Sequence, residues 1–125
     1  MHIIVCSKNP VTVDAVSVAF QSRQPHLTVC ESGLEVLAAV EIMAADLLIM
    51  DLQTPGLNSL LIFSAIRELA PSLSILALST KPEQDARSFS CNGISFVRLT
   101  PGVTDVQTLA EELGQIGEMH GAGLR

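Results

Sequence analysis

Residues 44–56, AADLLIMDLQTPG, set a single carboxylate at the end of an uninterrupted apolar run. Leu47 to Met50 precede Asp51, Leu52 follows it, and Pro55–Gly56 turns the chain. A short continuous apolar run bounded by turn residues reads as a strand covered on both faces, as in parallel sheets. A charge at the last position of such a strand is costly unless the strand's carboxyl end reaches solvent. In open α/β sheets that edge is also where ligands bind. Asp51 is therefore either a functional carboxylate or a solvated strand end, and the rest of the chain has to discriminate.

The flanking sequence repeats one pattern. Ile3–Cys6 is a first apolar strand, and Asn9–Pro10 supplies an N-cap and first helical position. Val13, Val16 and Phe20 at helical spacing extend that helix over about residues 10–23. Leu27–Cys30 is a second strand, and Ser32-x-x-Glu35 is a capping box opening a helix with Val36, Leu37 and Val40 buried. After the Asp51 strand, Leu57–Leu69 reads as an amphipathic helix, Leu73–Leu78 as a strand ending in Ser79, and Pro82–Cys91 as a weaker helix. Ile94–Leu99 is the fifth strand, and Thr104-x-x-Gln107 caps a last helix with Leu109, Leu113 and Ile116 inward. Five strands alternating with five helices through short connections predict a parallel, doubly wound α/β sheet with right-handed crossovers. Phe20, Phe63 and Phe89 are expected in the core.

At 125 residues the chain suits one domain, here residues 1–119, with the Gly-rich 120–125 as a flexible tail or the start of a linker to an effector domain. Seven Lys and Arg against thirteen Asp and Glu give a net charge of −6, which disfavours direct contact with nucleic acid or anionic lipid. No apolar run is long enough to span a bilayer and the N-terminus lacks a signal-peptide pattern, so a cytoplasmic location is expected. Cys6, Cys30 and Cys91 have no metal-ligand spacing and read as small buried hydrophobes. If the first two strands are neighbours, Cys6 and Cys30 approach each other, but a reducing compartment disfavours a disulfide. His2, His26 and His120 are scattered and imply no ligand cluster.

Taken together, DLLIMDLQTPGLNS, LSILALST and GISFVRLTP resemble the phosphoacceptor strand, fourth strand and fifth strand of the receiver domain of two-component response regulators. The resemblance implies a flavodoxin-like (βα)5 sandwich with strand order 2-1-3-4-5, with Asp51 at the phosphoacceptor position and Ser79 at the hydroxyl position. It also implies that the face made by the fourth helix, fifth strand and fifth helix, carrying Phe89, Phe96 and Arg98, is a docking or homodimer surface. Histidine kinases or other signalling proteins are the implied partners.

The departures bear directly on chemistry. The family carries an acidic pair after the first strand; this chain has Ser7 and Lys8. The family carries Lys before the last proline; this chain has Thr100. Lys81–Pro82 imitates that motif after the wrong strand, and Val97 stands where an aromatic switch residue is usual, beside Phe96. Mg²⁺ demands hard oxygen ligands, usually including one or two carboxylates, and here only Asp51 remains. Phosphoryl transfer needs metal and cationic groups around the equatorial oxygens, and both supports are missing. The sequence thus predicts a degenerate, non-enzymatic receiver that binds no cofactor and Mg²⁺ weakly or not at all. Lys8 is expected to pair with Asp51 as a surrogate cation, with Lys81 a second candidate. Two alternatives stand beside it. One is a functional receiver phosphorylated on Asp51 by a histidine kinase. The other is a small flavodoxin-like ligand-binding protein or enzyme using the same sheet edge, although SKNPVT lacks a phosphate-cradling glycine pattern and no Trp or Tyr is present to stack on a flavin.

Overall fold

The computed structural model describes residues 1–54, 60–88, 94–99 and 110–111. Within them, β1 (His2–Cys6), β2 (His26–Cys30), β3 (Leu47–Asp51), β4 (Ser74–Ser79) and β5 (Ile94–Arg98) form one five-stranded sheet in the order β2-β1-β3-β4-β5. Every neighbouring pair is parallel, with Cys6 opposite both Cys30 and Met50, and Asp51 opposite Leu78. The helices are α1 (Pro10–Ala19), α2 (Gly33–Ile42), α3 (Leu60–Leu69) and α4 (Pro82–Ser88). The expected fold class and strand order both hold.

Local chemistry explains the element starts. Asn9 Oδ1 accepts from the Val11 N–H at 3.0 Å, and Pro10 takes the first helical position, where its missing N–H costs nothing. Ser32 Oγ accepts from the Glu35 N–H at 3.2 Å, one arm of the expected capping box. The other arm reaches one residue further back: Glu35 Oε2 accepts from the Glu31 N–H at 3.0 Å. The helix expected over residues 10–23 is shorter; α1 stops at Ala19 and a 3-10 turn, Gln21–Arg23, follows. Tightening of the last turn is a common way to close a helix ahead of a proline such as Pro25. Arg67 closes the far end of α3 by donating to the carbonyls of Ala70, Pro71 and Leu73, the last at 2.6 Å. Partial burial among those carbonyls lowers its pKa.

Two apolar layers cover the sheet. One packs Ile4, Leu48, Met50 and Ala77 against Val36, Val40, Phe63 and Ile66 of α2 and α3. The other packs Ile3, Val5, Ile49 and Leu78 against Val16, Phe20 and Ala110. Strand β3 is buried along its whole length, including Asp51. That explains why its sequence reads as a run rather than an alternation. Phe20 and Phe63 lie in the core as expected; Phe89, Cys91, Pro55–Gly56 and, apart from Ala110 and Glu111, the expected last helix lie outside the described residues. Because Ile49 is fully buried at the sheet centre, Ile49→Ala should cost about 2–5 kcal/mol of unfolding free energy, measured as a lowered urea midpoint with unchanged m-value.

Candidate functional site

Because β1 and β3 are hydrogen-bonded neighbours, residues just past Cys6 lie beside the end of β3. Ser7, the first of them, turns inward and is buried. Its Oγ donates to Asp51 Oδ2 at 2.9 Å and accepts from the Asn9 N–H at 3.0 Å. Asp51 is only 4% exposed. Its second oxygen, Oδ1, accepts from the Gln53 N–H at 3.0 Å, and its main-chain carbonyl accepts from the Thr54 N–H at 2.9 Å. A buried carboxylate is tolerable only when its lone pairs find donors, and here a hydroxyl and a backbone amide supply them.

Lys8 does not complete that arrangement. Its side chain is exposed and, with Asn9, Asp51, Gln53 and Thr54, lines an open cleft of about 270 Å³. Among the described residues the ion pair is Arg98 with Glu83, so the expected Lys8–Asp51 pair is corrected to a Ser7–Asp51 hydrogen bond. The physical reason is directional. Both residues lie past the end of β1, and the turn that leaves the strand carries Ser7 inward to Asp51 and Lys8 out to solvent. Leaving the ammonium in water also avoids its desolvation cost. Lys81, the second candidate cation, is likewise exposed, and it meets Ser79 through its backbone: the Lys81 N–H donates to Ser79 Oγ at 2.9 Å.

Ser79, at the end of β4, is buried with its hydroxyl turned to α4, where Oγ donates to Asp85 Oδ2. Asp85 is itself buried, and nothing in its sequence position singled it out. Ser79 ends β4 and Asp85 lies on α4, so no single element's period relates them and only the fold of the β4–α4 turn brings the two together. Thr54, a buried member of the cleft lining, was also not legible in the sequence, because it belongs to the turn after β3 rather than to a periodic element. Of the expected partner face, Phe96 packs partly buried against the α2–α3 side of the core. Arg98 is exposed and donates to Glu83 of α4. The Glu83 pKa is lowered, first by its own backbone N–H and then by Arg98. Phe89 and Thr100 lie outside the described residues.

Cys6 and Cys30 sit in register on β1 and β2, both free and buried. Burial, followed by the neighbouring Cys30 thiol and nearby carboxylates, pushes Cys6 up to about 12, and burial followed by Glu35 raises Cys30.

The chain belongs to the response regulator receiver domain family, whose model matches residues 3–94. The fold is similar to the receiver domain of the sensor histidine kinase PA1611 from Pseudomonas aeruginosa PAO1, solved with a magnesium ion in its active-site cleft. Identity is 21%, coverage 94% of both chains and TM-score 0.71. It is similar too to a CheY-like receiver domain protein from Methanospirillum hungatei, with 15% identity, coverage of 97% of this chain and 96% of that one, and TM-score 0.70. A third similar structure is TrrA from Thermotoga maritima in complex with Mg(2+)-BeF, with 20% identity, coverage of 92% and 97%, and TM-score 0.68. Among curated proteins no relative matches by sequence. No helix among the described residues is long and apolar enough to cross a membrane.

Ser7→Ala would leave one Asp51 oxygen without its hydroxyl donor and the Asn9 N–H without its acceptor. It should destabilise the fold by about 1–3 kcal/mol in urea titration at neutral pH. The two buried thiols should resist a disulfide reagent such as DTNB in the native state and react on unfolding. Cys6 holds its proton to about 12 when folded against an ordinary 9.0. Its contribution to stability is therefore constant below 9.0 and falls as pH rises from there toward 12, because the unfolded chain loses that proton first. A stability–pH curve rising over that interval would contradict this.

Proposed function

We propose that this receiver works as a protein-interaction module in two-component signalling, without Mg²⁺-dependent phosphorylation of Asp51 and without enzymatic activity of its own. The observation that carries this reading is the Ser7 hydroxyl bonded to Asp51 where a second carboxylate would be needed. The donor set at the cleft is then one carboxylate, one hydroxyl already spent on it, the neutral Asn9, Gln53 and Thr54 and the exposed ammonium of Lys8. That set does not fit a hard divalent cation, which dehydrates reluctantly and needs anionic oxygen. Ser79, the other group positioned to meet a phosphoryl oxygen, has its proton directed to Asp85. Membership of the receiver family favours signalling over a ligand-binding or enzymatic role on the same fold.

Partners on this reading are a histidine kinase or another signalling protein. The α4–β5 face, where Arg98 meets Glu83 across the two elements, is the surface offered for docking or self-association.

A second reading, phosphorylation of Asp51 by a histidine kinase, is favoured by one feature: the cleft opens on Asp51 with Lys8 at its wall, a cation suited to an incoming anion. Incubation with acetyl phosphate and Mg²⁺ followed by intact-mass spectrometry separates the two. The interaction-module reading expects no added phosphoryl group. A single phosphoryl adduct that disappears in Asp51→Asn would replace it with the second.

A further inference from the structure

Helix α2 is apolar on both sides. Val36, Ala39 and Val40 face the sheet, yet Leu34 and Ile42 point outward, 78% and 79% exposed, with exposed Ala38 midway between them. Residues four apart lie on one helix face, so Leu34, Ala38 and Ile42 form a continuous outer stripe two turns long. Helix α3 packs beside α2 on the same side of the sheet. Each helix returns the chain from the carboxyl to the amino edge of a parallel sheet, so the two run in the same direction. Leu61, 80% exposed, therefore sits at the same end as Leu34, and Leu69, 46% exposed, at the same end as Ile42. An ordinary surface helix keeps that face polar. Contiguous exposed apolar surface with a polar border is the mark of an interaction site.

The border here has one sign. Exposed Glu31, Glu35 and Glu41 flank the α2 stripe, and exposed Glu68 lies on α3. Helix α2 carries no Lys or Arg, and Arg67 of α3 has its guanidinium turned onto the carbonyls that follow the helix. The surface is thus apolar along its middle and negative along its rim. We infer that the outer face of α2 and α3 is a docking site for an amphipathic helix of a partner protein, one with a leucine-type stripe and Lys or Arg on both flanks. Two helices side by side present ridges and a groove that a third helix fits. A second copy of this chain would bring the same carboxylates face to face, and anionic lipid would meet the same repulsion. The inference does not depend on whether Asp51 is phosphorylated, and it concerns a different surface from the α4–β5 face.

The test uses a designed probe: a synthetic helical peptide about five turns long, with leucines every three to four residues and lysines flanking them. It is titrated into the ¹⁵N-labelled chain by NMR. Two control peptides carry glutamate in place of lysine, or the same composition scrambled so that the stripe is lost. Expected are shifts confined to α2 and α3 with the lysine peptide, and affinity weakened about tenfold or more by Leu34→Gln with Ile42→Gln. Glu41→Lys with Glu68→Lys, which leaves the Glu35 cap intact, should switch preference to the glutamate peptide. All four positions are exposed, so these variants should keep the wild-type thermal midpoint. Equal binding of all three peptides, shifts centred on β5 or the Asp51 cleft, or no response to the Gln variants would overturn the assignment. So would a concentration-dependent dimer by sedimentation that the Gln variants abolish, since the face would then belong to a second copy.

Discussion

A carboxylate buried at the end of the central strand needs donors, and the Ser7–Asp51 hydrogen bond is how this fold supplies one of them. Asp51 ends a strand with no exposed residue, so it has few places to find a compensating charge. Its position is fixed by the β1–β3 pairing, which lays the turn after Cys6 beside it. With a hydroxyl there, the two carboxylate oxygens of Asp51 each meet a neutral donor, the Ser7 hydroxyl and the Gln53 N–H. With carboxylates there, the same geometry would concentrate negative charge and require a metal or an ammonium to offset it.

The same logic repeats one strand over. Ser79 ends β4 as Asp51 ends β3, and its hydroxyl donates to Asp85 while accepting from the Lys81 N–H. Helix α4 is thereby tied to β4 through Asp85, and to β5 through Glu83 and Arg98. The first tie is buried and shielded from solvent, so it governs where the helix sits. The second is exposed on both sides and is worth little energetically, so it acts chiefly on the charge of that face. The carboxyl edge of the sheet is therefore a set of short, locally closed hydrogen bonds around an open cleft.

Charge is distributed unevenly around this core. The cleft carries the ammonium of Lys8, whereas the α2 surface carries only carboxylates around exposed leucine and isoleucine. That places the informative chemistry of this chain as much on its outside as at its aspartate.

The alternation of apolar runs with capped amphipathic helices was enough to define the doubly wound sheet. Each run is too short for anything but a strand, and each cap, Asn9–Pro10 or Ser32–Glu35, states where a helix begins. The position of Asp51 at a strand end, and the loss of acid at Ser7 and Lys8, were equally legible because they are facts of residue type and order. Which of Ser7 and Lys8 faces Asp51 was not, since side-chain direction past a strand depends on how the turn leaves it. Nor was Asp85, whose bond to Ser79 exists only because the β4–α4 turn folds back on itself, nor the outward leucine of α2, which periodicity counts as apolar without saying which side is covered. Sequence fixes what each element is, through local propensity and spacing; the partners its polar and apolar groups meet are set by non-local packing, which only the assembled sheet decides.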